Sequence, residues 1–369
     1  MEVGKTATLA CEARGEPVPR VWWTKVPTED IEIPPWKLLH SRDGQLTISN
    51  ASKHDQGIYI CHAQNALGTI FTTVKLTVLS PLKFTIFPPK AVMTVLGEKL
   101  ELHCVAKAGF QPLVTWTMEN HSFLPSGVMI YPNGTMTISK VSWSHQGRYY
   151  CRATSEVSSI QTSVNVTVKH PESCSIIRKF VTTISGTYVI DPDGVGGVDP
   201  FIVYCNMTER DNIGVTVVSH DSEDRILVDG CEPKGCYSRQ VQYTGASLQQ
   251  LNSLTKVSAK CEQFIKYECY NTWFLGAGYA WWMSRDGEKM THWGGAPMGS
   301  AKCTCGVTNL CAGGWNCNCD YLERRWKEDS GFLGDKSILP VSELRFGDTG
   351  GSIEQGFHTL GKLKCYGIA

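Results

Sequence analysis

Apolar and polar residues alternate along much of the first 170 positions. In TSVNVTV, Val164, Val166 and Val168 fall on one side and Asn165 and Thr167 on the other, the period-two pattern of a half-buried strand. Runs of this kind are short and separated by turn residues. Asp43-Gly44 and Asn133-Gly134 predict tight hairpins, because Gly, Asn and Asp tolerate positive φ. This half therefore predicts an all-β sandwich. Beyond Cys174 the pattern changes to Gly-rich and Trp-rich sequence with few long periodic segments. Its best helix candidate is GASLQQLNSLTKVSAKCEQFI, where Leu248, Leu251 and Leu254 form a core-facing stripe. Short strands and long disulfide-tied loops are expected elsewhere in that half.

A repeat at an offset of 90 residues organises the first half. DGQLTISNASKHDQGIYIC from Asp43 matches NGTMTISKVSWSHQGRYYC from Asn133, aligning Ile48 with Ile138, Tyr59 with Tyr149 and Cys61 with Cys151. Upstream, Cys11 precedes Trp23 by twelve residues, as Cys104 precedes Trp116. Repeats of this length are whole domains. Cys, Trp and Tyr-x-Cys in this order resemble the immunoglobulin fold, and CEARGEPVPRVWW with AQNALG resembles its intermediate set. The resemblance covers residues 1–170, as domains 1–80 and 81–170. It implies bridges Cys11–Cys61 and Cys104–Cys151 under the two tryptophans. A bridge closing a loop of about 50 residues contributes about 4 kcal/mol in the chain-entropy model. His145 stands where the first copy has Asp55, a position that commonly holds a surface ion pair of little energetic weight. The second copy has about twenty residues before its first cysteine, and the first has ten. Its first edge strand is expected to be short or missing, with Met1 the start of a fragment, which would also account for the lack of a basic-apolar leader.

Thirty-five Lys+Arg balance thirty-five Asp+Glu, so no net field draws the chain to nucleic acid. No apolar run approaches the roughly eighteen residues of a membrane span. Of sixteen cysteines, four precede residue 173 and twelve follow it, which places a domain boundary at KHPESC, residues 169–174.

From that boundary, SGTYVIDPDG, PFIVYCNMT, CEQFIKYEC, AWWMSRDG, WGGAP, CTCG, CNCD, GFLGDKSILPV and FGDTG resemble the fibrinogen-like domain of the contactin-associated (neurexin-related) proteins. The resemblance covers residues 174–367. It implies a disulfide-rich α+β fibrinogen C-terminal-like domain over 171–369, with an opening bridge Cys174–Cys205, in an extracellular protein. Cys231–Cys236 and Cys261–Cys269 are read as local pairs. Cys303, Cys305, Cys311, Cys317 and Cys319 remain, with Cys365. Zinc sites usually present C-x2–4-C pairs with four ligands. This segment shows C-x-C, a lone cysteine and C-x-C, with no histidine inside it. The six are therefore read as three bridges tying the cluster to the C-terminus, in any of fifteen connectivities.

Other motifs take bland readings. Asp348-Thr349-Gly350 matches an aspartic-protease loop, but that chemistry needs two carboxylates sharing a proton, and no second D-T-G exists. Asp191, Asp193 and Asp199 lack the twelfth-position Glu and flanking helices of an EF-hand. In the C-terminal third, where fibrinogen domains usually bind calcium, no D-x-D occurs and the segment 303–320 replaces it, so neither that site nor the pocket beside it is expected. G-x-S-x-G and H-E-x-x-H are absent. Trp281, Trp282, Trp293, Trp315 and Trp326 are read as aromatic core. Sequons at Asn50, Asn120, Asn133, Asn165 and Asn206 are candidate glycosylation sites, Asn165 the best placed.

The sequence thus predicts two immunoglobulin-like sandwiches and a fibrinogen-like domain in a non-enzymatic extracellular protein without cofactor or metal. Its expected work is adhesion or recognition of a protein or glycan partner through loops on rigid scaffolds. Two further readings are a secreted constituent of an extracellular matrix, including a mineralised one, and a lectin-like immune recognition protein.

Overall fold

The computed structural model describes residues 1–26 and 41–369. They form two units, one holding Met1–Val92, Leu100–Ser139 and Ser144–Thr167, the other Met93–Lys99, Lys140–Trp143 and Val168–Ala369. The first sandwich runs through β1 (Ala7–Ala10), β2 (Arg20–Lys25), β3 (Ser41–Arg42), β4 (Gln45–Ile48), β5 (Gly57–Asn65) and β6 (Gly68–Leu76). Its sheets are β1-β4-β3 and β2-β5-β6, all pairs antiparallel. The second runs through β7 (Lys83–Ile86), β8 (Ala91–Val95), β9 (Leu100–Leu102), β10 (Val105–Lys107), β11 (Leu113–Met118), β12 (Val128–Ile130), β13 (Met136–Ile138), β14 (Gly147–Thr154) and β15 (Ser159–Lys169). Its sheets are β12-β13-β9 and β11-β14-β15-β8, with a β10-β7 pair beside them.

The same side chains do the same work in both copies. Cys11 bridges Cys61 and Cys104 bridges Cys151. Trp23 Nε1 donates to the Gly44 carbonyl at 3.0 Å, and Trp116 Nε1 to that of Gly134 at 3.0 Å. Both glycines have positive φ, and a Cβ would lie 2.3 Å from the Cys11 carbonyl oxygen or 1.9 Å from that of Cys104. Only glycine lets the hairpin approach the bridged strand so closely. Tyr59 donates to the Asp55 carbonyl at 2.7 Å and Tyr149 to that of His145 at 2.9 Å, closing two tyrosine corners. Tyr149 is fully buried. Tyr149→Phe is therefore expected to lower the stability of its sandwich by about 1 kcal/mol, read as a shifted urea midpoint with unchanged slope.

His145 differs from the surface position expected of it. It is buried, with Nε2 3.0 Å from the Ser126 carbonyl oxygen, while Asp55 accepts from the Ser52 amide and hydroxyl. At the start of the first copy, Val3 N donates to Leu79 O at 2.9 Å. Leu96 N donates to Lys169 O at 2.8 Å in the second, at the same sequence separation from the bridged cysteines of its copy. In the second copy β8 continues that pairing along β15; in the first, only the Glu2–Leu79 bridge represents it among the described residues.

The second unit contains α1 (Cys174–Phe180), β16 (Gly186–Ile190), β17 (Phe201–Arg210), β18 (Ile213–Val218), β19 (Ile226–Val228), β20 (Tyr237–Gln240) and α2 (Leu248–Val257). There follow β21 (Lys260–Tyr270), β22 (Trp281–Met283), β23 (Lys289–Met290), β24 (Trp326–Leu333), β25 (Glu343–Phe346), β26 (Gln355–Leu360) and β27 (Leu363–Tyr366). An eight-stranded sheet, β16-β17-β18-β27-β21-β26-β19 with β24 also on β21, lies beside a four-stranded one, β20-β25-β22-β23. Cys174–Cys205 and Cys231–Cys236 are bridged. Ser247 and Gln250 form a capping box that starts α2, and Leu251 and Leu254 are buried beneath it. The helix stops at Val257, short of the predicted run. From Lys260 the period changes to two: Cys261, Gln263, Ile265, Tyr267 and Cys269 are buried in alternation, so this stretch is strand.

That alternation overturns the Cys261–Cys269 pairing. Both cysteines lie on one extended strand, eight residues and about 26 Å apart, beyond the ~7 Å that a disulfide spans. Cys261 instead faces Cys365 directly across the β21–β27 register and bridges it, with Cα atoms 4.1 Å apart. Cys365 therefore does not join the 303–319 cluster.

Candidate functional site

The segment 303–320 is held by its own sulfurs and by two carboxylates, Asp329 beneath it and its own terminal Asp320. Cys303–Cys317 and Cys305–Cys311 close within the segment, and Cys269–Cys319 ties it to β21. Gly306 lies so close to Asn316 that a Cβ would come within 2.2 Å of its carbonyl oxygen. Asp329, on the inward face of β24, accepts from the Asn318 amide at 3.0 Å and the Cys319 amide at 2.8 Å. Asp320 accepts from the amides of Phe274 at 3.1 Å and Gly276 at 2.8 Å. Both are buried. Burial pushes both carboxyls above their ordinary range, Asp329 to about 6, against the opposing pull of the amide donors. The resulting platform presents Val307, Leu310 and Trp315 to solvent.

Sequence reasoning missed both carboxylates, and with them the buried His358, whose Nε2 lies 3.0 Å from the Tyr237 hydroxyl. The available signal was an acidic residue on the inward parity of a strand, at Asp329, and one closing C-N-C-D, at Asp320.

The sulfurs of Cys303 and Cys317 and an Asp329 oxygen lie within 4.8 Å of one another, a metal-like spacing. Those sulfurs are joined in a disulfide and lack the thiolate charge that binds metal. A second group of carboxylates, Glu232, Asp348 and Glu354, could hold a cation; it is open to solvent on the Glu232 side. Asp348 accepts from the Trp273 amide at 2.6 Å and Glu354 from the Gly351 amide at 2.8 Å. The D-T-G carboxylate is thus engaged by a backbone amide 75 residues away in sequence. Asp191 accepts from the Gly194 amide, while Asp193 accepts from the Val198 amide and the Ser253 hydroxyl, so this loop is tied by its own amides and to α2.

Trp282 and Trp293 are fully buried, and Trp281 half-buried. Trp315 and Trp326 depart from the aromatic-core reading, at 45% and 46% exposure. Asn50, Asn120, Asn133 and Asn165 are exposed, Asn165 between buried Val164 and Val166. Asn206 is half-buried, its side-chain oxygen accepting from the amide and hydroxyl of Thr208.

The family Immunoglobulin I-set domain matches residues 1–78, and the family Immunoglobulin domain matches residues 83–155. The chain carries two immunoglobulin domains. Contactin-associated protein 1 of Rattus norvegicus and of Homo sapiens are each 36% identical to it over 203 residues, covering 54% of this chain and 14% of their own. Neurexin-4 of Drosophila melanogaster is 35% identical over 190 residues, covering 48% of this chain and 15% of its own. The chain spans about a seventh of the length of these curated relatives. Among solved structures, Drosophila OTK, extracellular domains 3-5, is 24% identical with a TM-score of 0.40, covering 46% of this chain and 58% of that one. No helix among the described residues is long and apolar enough to cross a membrane.

Proposed function

We propose that this chain is an extracellular recognition protein, with immunoglobulin domains over 1–80 and 81–170 and a fibrinogen-like domain over 171–369. It binds a protein or glycan partner and carries out no chemistry on it. The observation that carries this reading is the pairing of all sixteen cysteines in eight bridges. Disulfides at this density persist in oxidising compartments. The alignment with the contactin-associated relatives covers 54% of the chain, more than residues 1–155 contain, so it extends past the immunoglobulin matches. That supports a module shared with them outside the immunoglobulin matches. Loops on covalently braced scaffolds suit recognition, because little ordering entropy remains to be lost on binding.

The test is to secrete the chain from eukaryotic cells, map its disulfides and apply it to cells and matrix. Eight bridges and saturable binding that reduction abolishes are expected. Free thiols throughout, or stoichiometric zinc, would overturn the reading.

A further inference from the structure

On the outward face of the larger sheet, three side chains from adjacent strands stand in one row. Tyr270 of β21 lies directly opposite Trp326 of β24 on one side and Gln355 of β26 on the other. Directly paired residues of antiparallel strands share a face, and the alternating burial of β21 puts Tyr270 on the solvent side. The Trp326 indole is 46% exposed, with the Tyr270 ring centroid 5.5 Å away and that of Phe357 at 5.6 Å. Among the described residues, the Tyr270 hydroxyl and the exposed Gln355 carboxamide make no hydrogen bond. An open indole therefore stands beside two neutral, unengaged hydrogen-bonding groups.

The charges beside this row cancel. Arg225 pairs with Glu268 at 2.9 Å, and Lys266 with Glu328 at 2.9 Å and Glu268 at 3.5 Å. The Arg225 guanidinium lies 3.3 Å over the Phe357 ring and closes that face; it stands further off, at 5.7 Å, from the Trp326 ring, which stays 46% exposed.

We propose that the row Trp326–Tyr270–Gln355 is a binding site for a neutral glycan; the proposal rests on the recognition reading above and narrows its partner. A pyranose has an apolar C–H face that packs on an indole, and hydroxyls that need donors and acceptors. Three strands at about 4.8 Å spacing make a row about 10 Å long, which suits one or two sugar rings. A standard protein interface covers about 800 Å² on each partner, far more than three side chains offer. With the neighbouring ions paired, nothing in the row favours a sulfated or sialylated ligand.

The probe is an array of neutral and acidic oligosaccharides, with the full chain as analyte. Binding to neutral hexose or N-acetylhexosamine glycans is expected, weakened about tenfold or more by Trp326→Ala through loss of the stacking ring. Trp326→Tyr should retain most of it, which separates a lost ring from a lost fold. Phe332→Ala, at the other end of β24 and also exposed, should leave it unchanged. Binding to acidic glycans alone, no glycan binding, or binding indifferent to Trp326→Ala would overturn the assignment. Capture of an enzymatically deglycosylated protein partner that Trp326→Ala abolishes would also overturn it, while leaving the recognition reading intact. Absence of all binding, to array, cells and matrix, would remove both.

Discussion

Replacing Cys261 and Cys365 together by serine is expected to destabilise the second unit by about 4 to 5 kcal/mol. The bridge spans 104 residues, and in the chain-entropy model a loop of that length restrains the unfolded chain by about 4.7 kcal/mol. Both sulfurs are buried, so the serines would add hydroxyls to an apolar core. The matched control is the serine pair at Cys303 and Cys317, 14 residues apart, for which about 3 kcal/mol is expected. Denaturant midpoints of the two double variants give the comparison. Equal losses would show that the bridges act through local packing and not through loop length. Peptide mapping should recover a fragment joining β21 to β27 and none joining Cys261 to Cys269.

His358→Phe is expected to gain about 3 kcal/mol on the native chain as pH falls from 7 to 4. His358 is fully buried, stacks on Phe346 with centroids 5.6 Å apart, and leaves Nδ1 without a partner. Burial, aided by the positive charge of Arg239, holds the imidazole down to about 4 from its ordinary 6.5. Between those values the unfolded chain binds the proton and the folded chain does not. Native stability is therefore intact above pH 6.5 and lost as pH falls through 4, by about 1.36 kcal/mol per unit. Phenylalanine has no such loss, and the missing bond to Tyr237 gives an offset independent of pH.

Asp329 has the opposite sign. Its carboxyl is raised to about 6 from 3.8, so the folded chain takes up the proton first and gains stability as pH falls between those values. Asp329→Asn removes that gain and should lose ground against the native chain by about 3 kcal/mol over the same interval. Unfolding midpoints at pH 7, 5.5 and 4 separate the two. If both differences held constant with pH, neither group would be buried as described.

The immunoglobulin half was legible in the sequence. Its determinants are few, large and at fixed spacing: a cysteine, a tryptophan twelve residues on, and a tyrosine two before the second cysteine. Each must reach the same small core, so residue type and spacing together leave one arrangement. The glycines of Asp43-Gly44 and Asn133-Gly134 were legible for a related reason, since a local turn decides their backbone.

Beyond Cys174–Cys205 and Cys231–Cys236, cysteine pairing in the second half was not legible, because no local rule sets it. Cys261 and Cys269 are close in sequence yet held about 26 Å apart by the strand they share. Cys365 becomes the partner of Cys261 only once β27 has docked beside β21 in one register. The carboxylates that anchor the cluster were hidden likewise: Asp320 and Asp329 carry no mark of burial until folding brings backbone amides to them. Trp326 and Trp293 look alike in the chain, yet one stands on the outward face of β24 and the other lies in a loop folded into the core. Residue spacing by itself determined the two sandwiches and the presence of a cross-linked module after them. Tertiary structure decided which sulfurs meet, which charges are buried and which aromatic rings stay open, because each depends on neighbours distant in sequence.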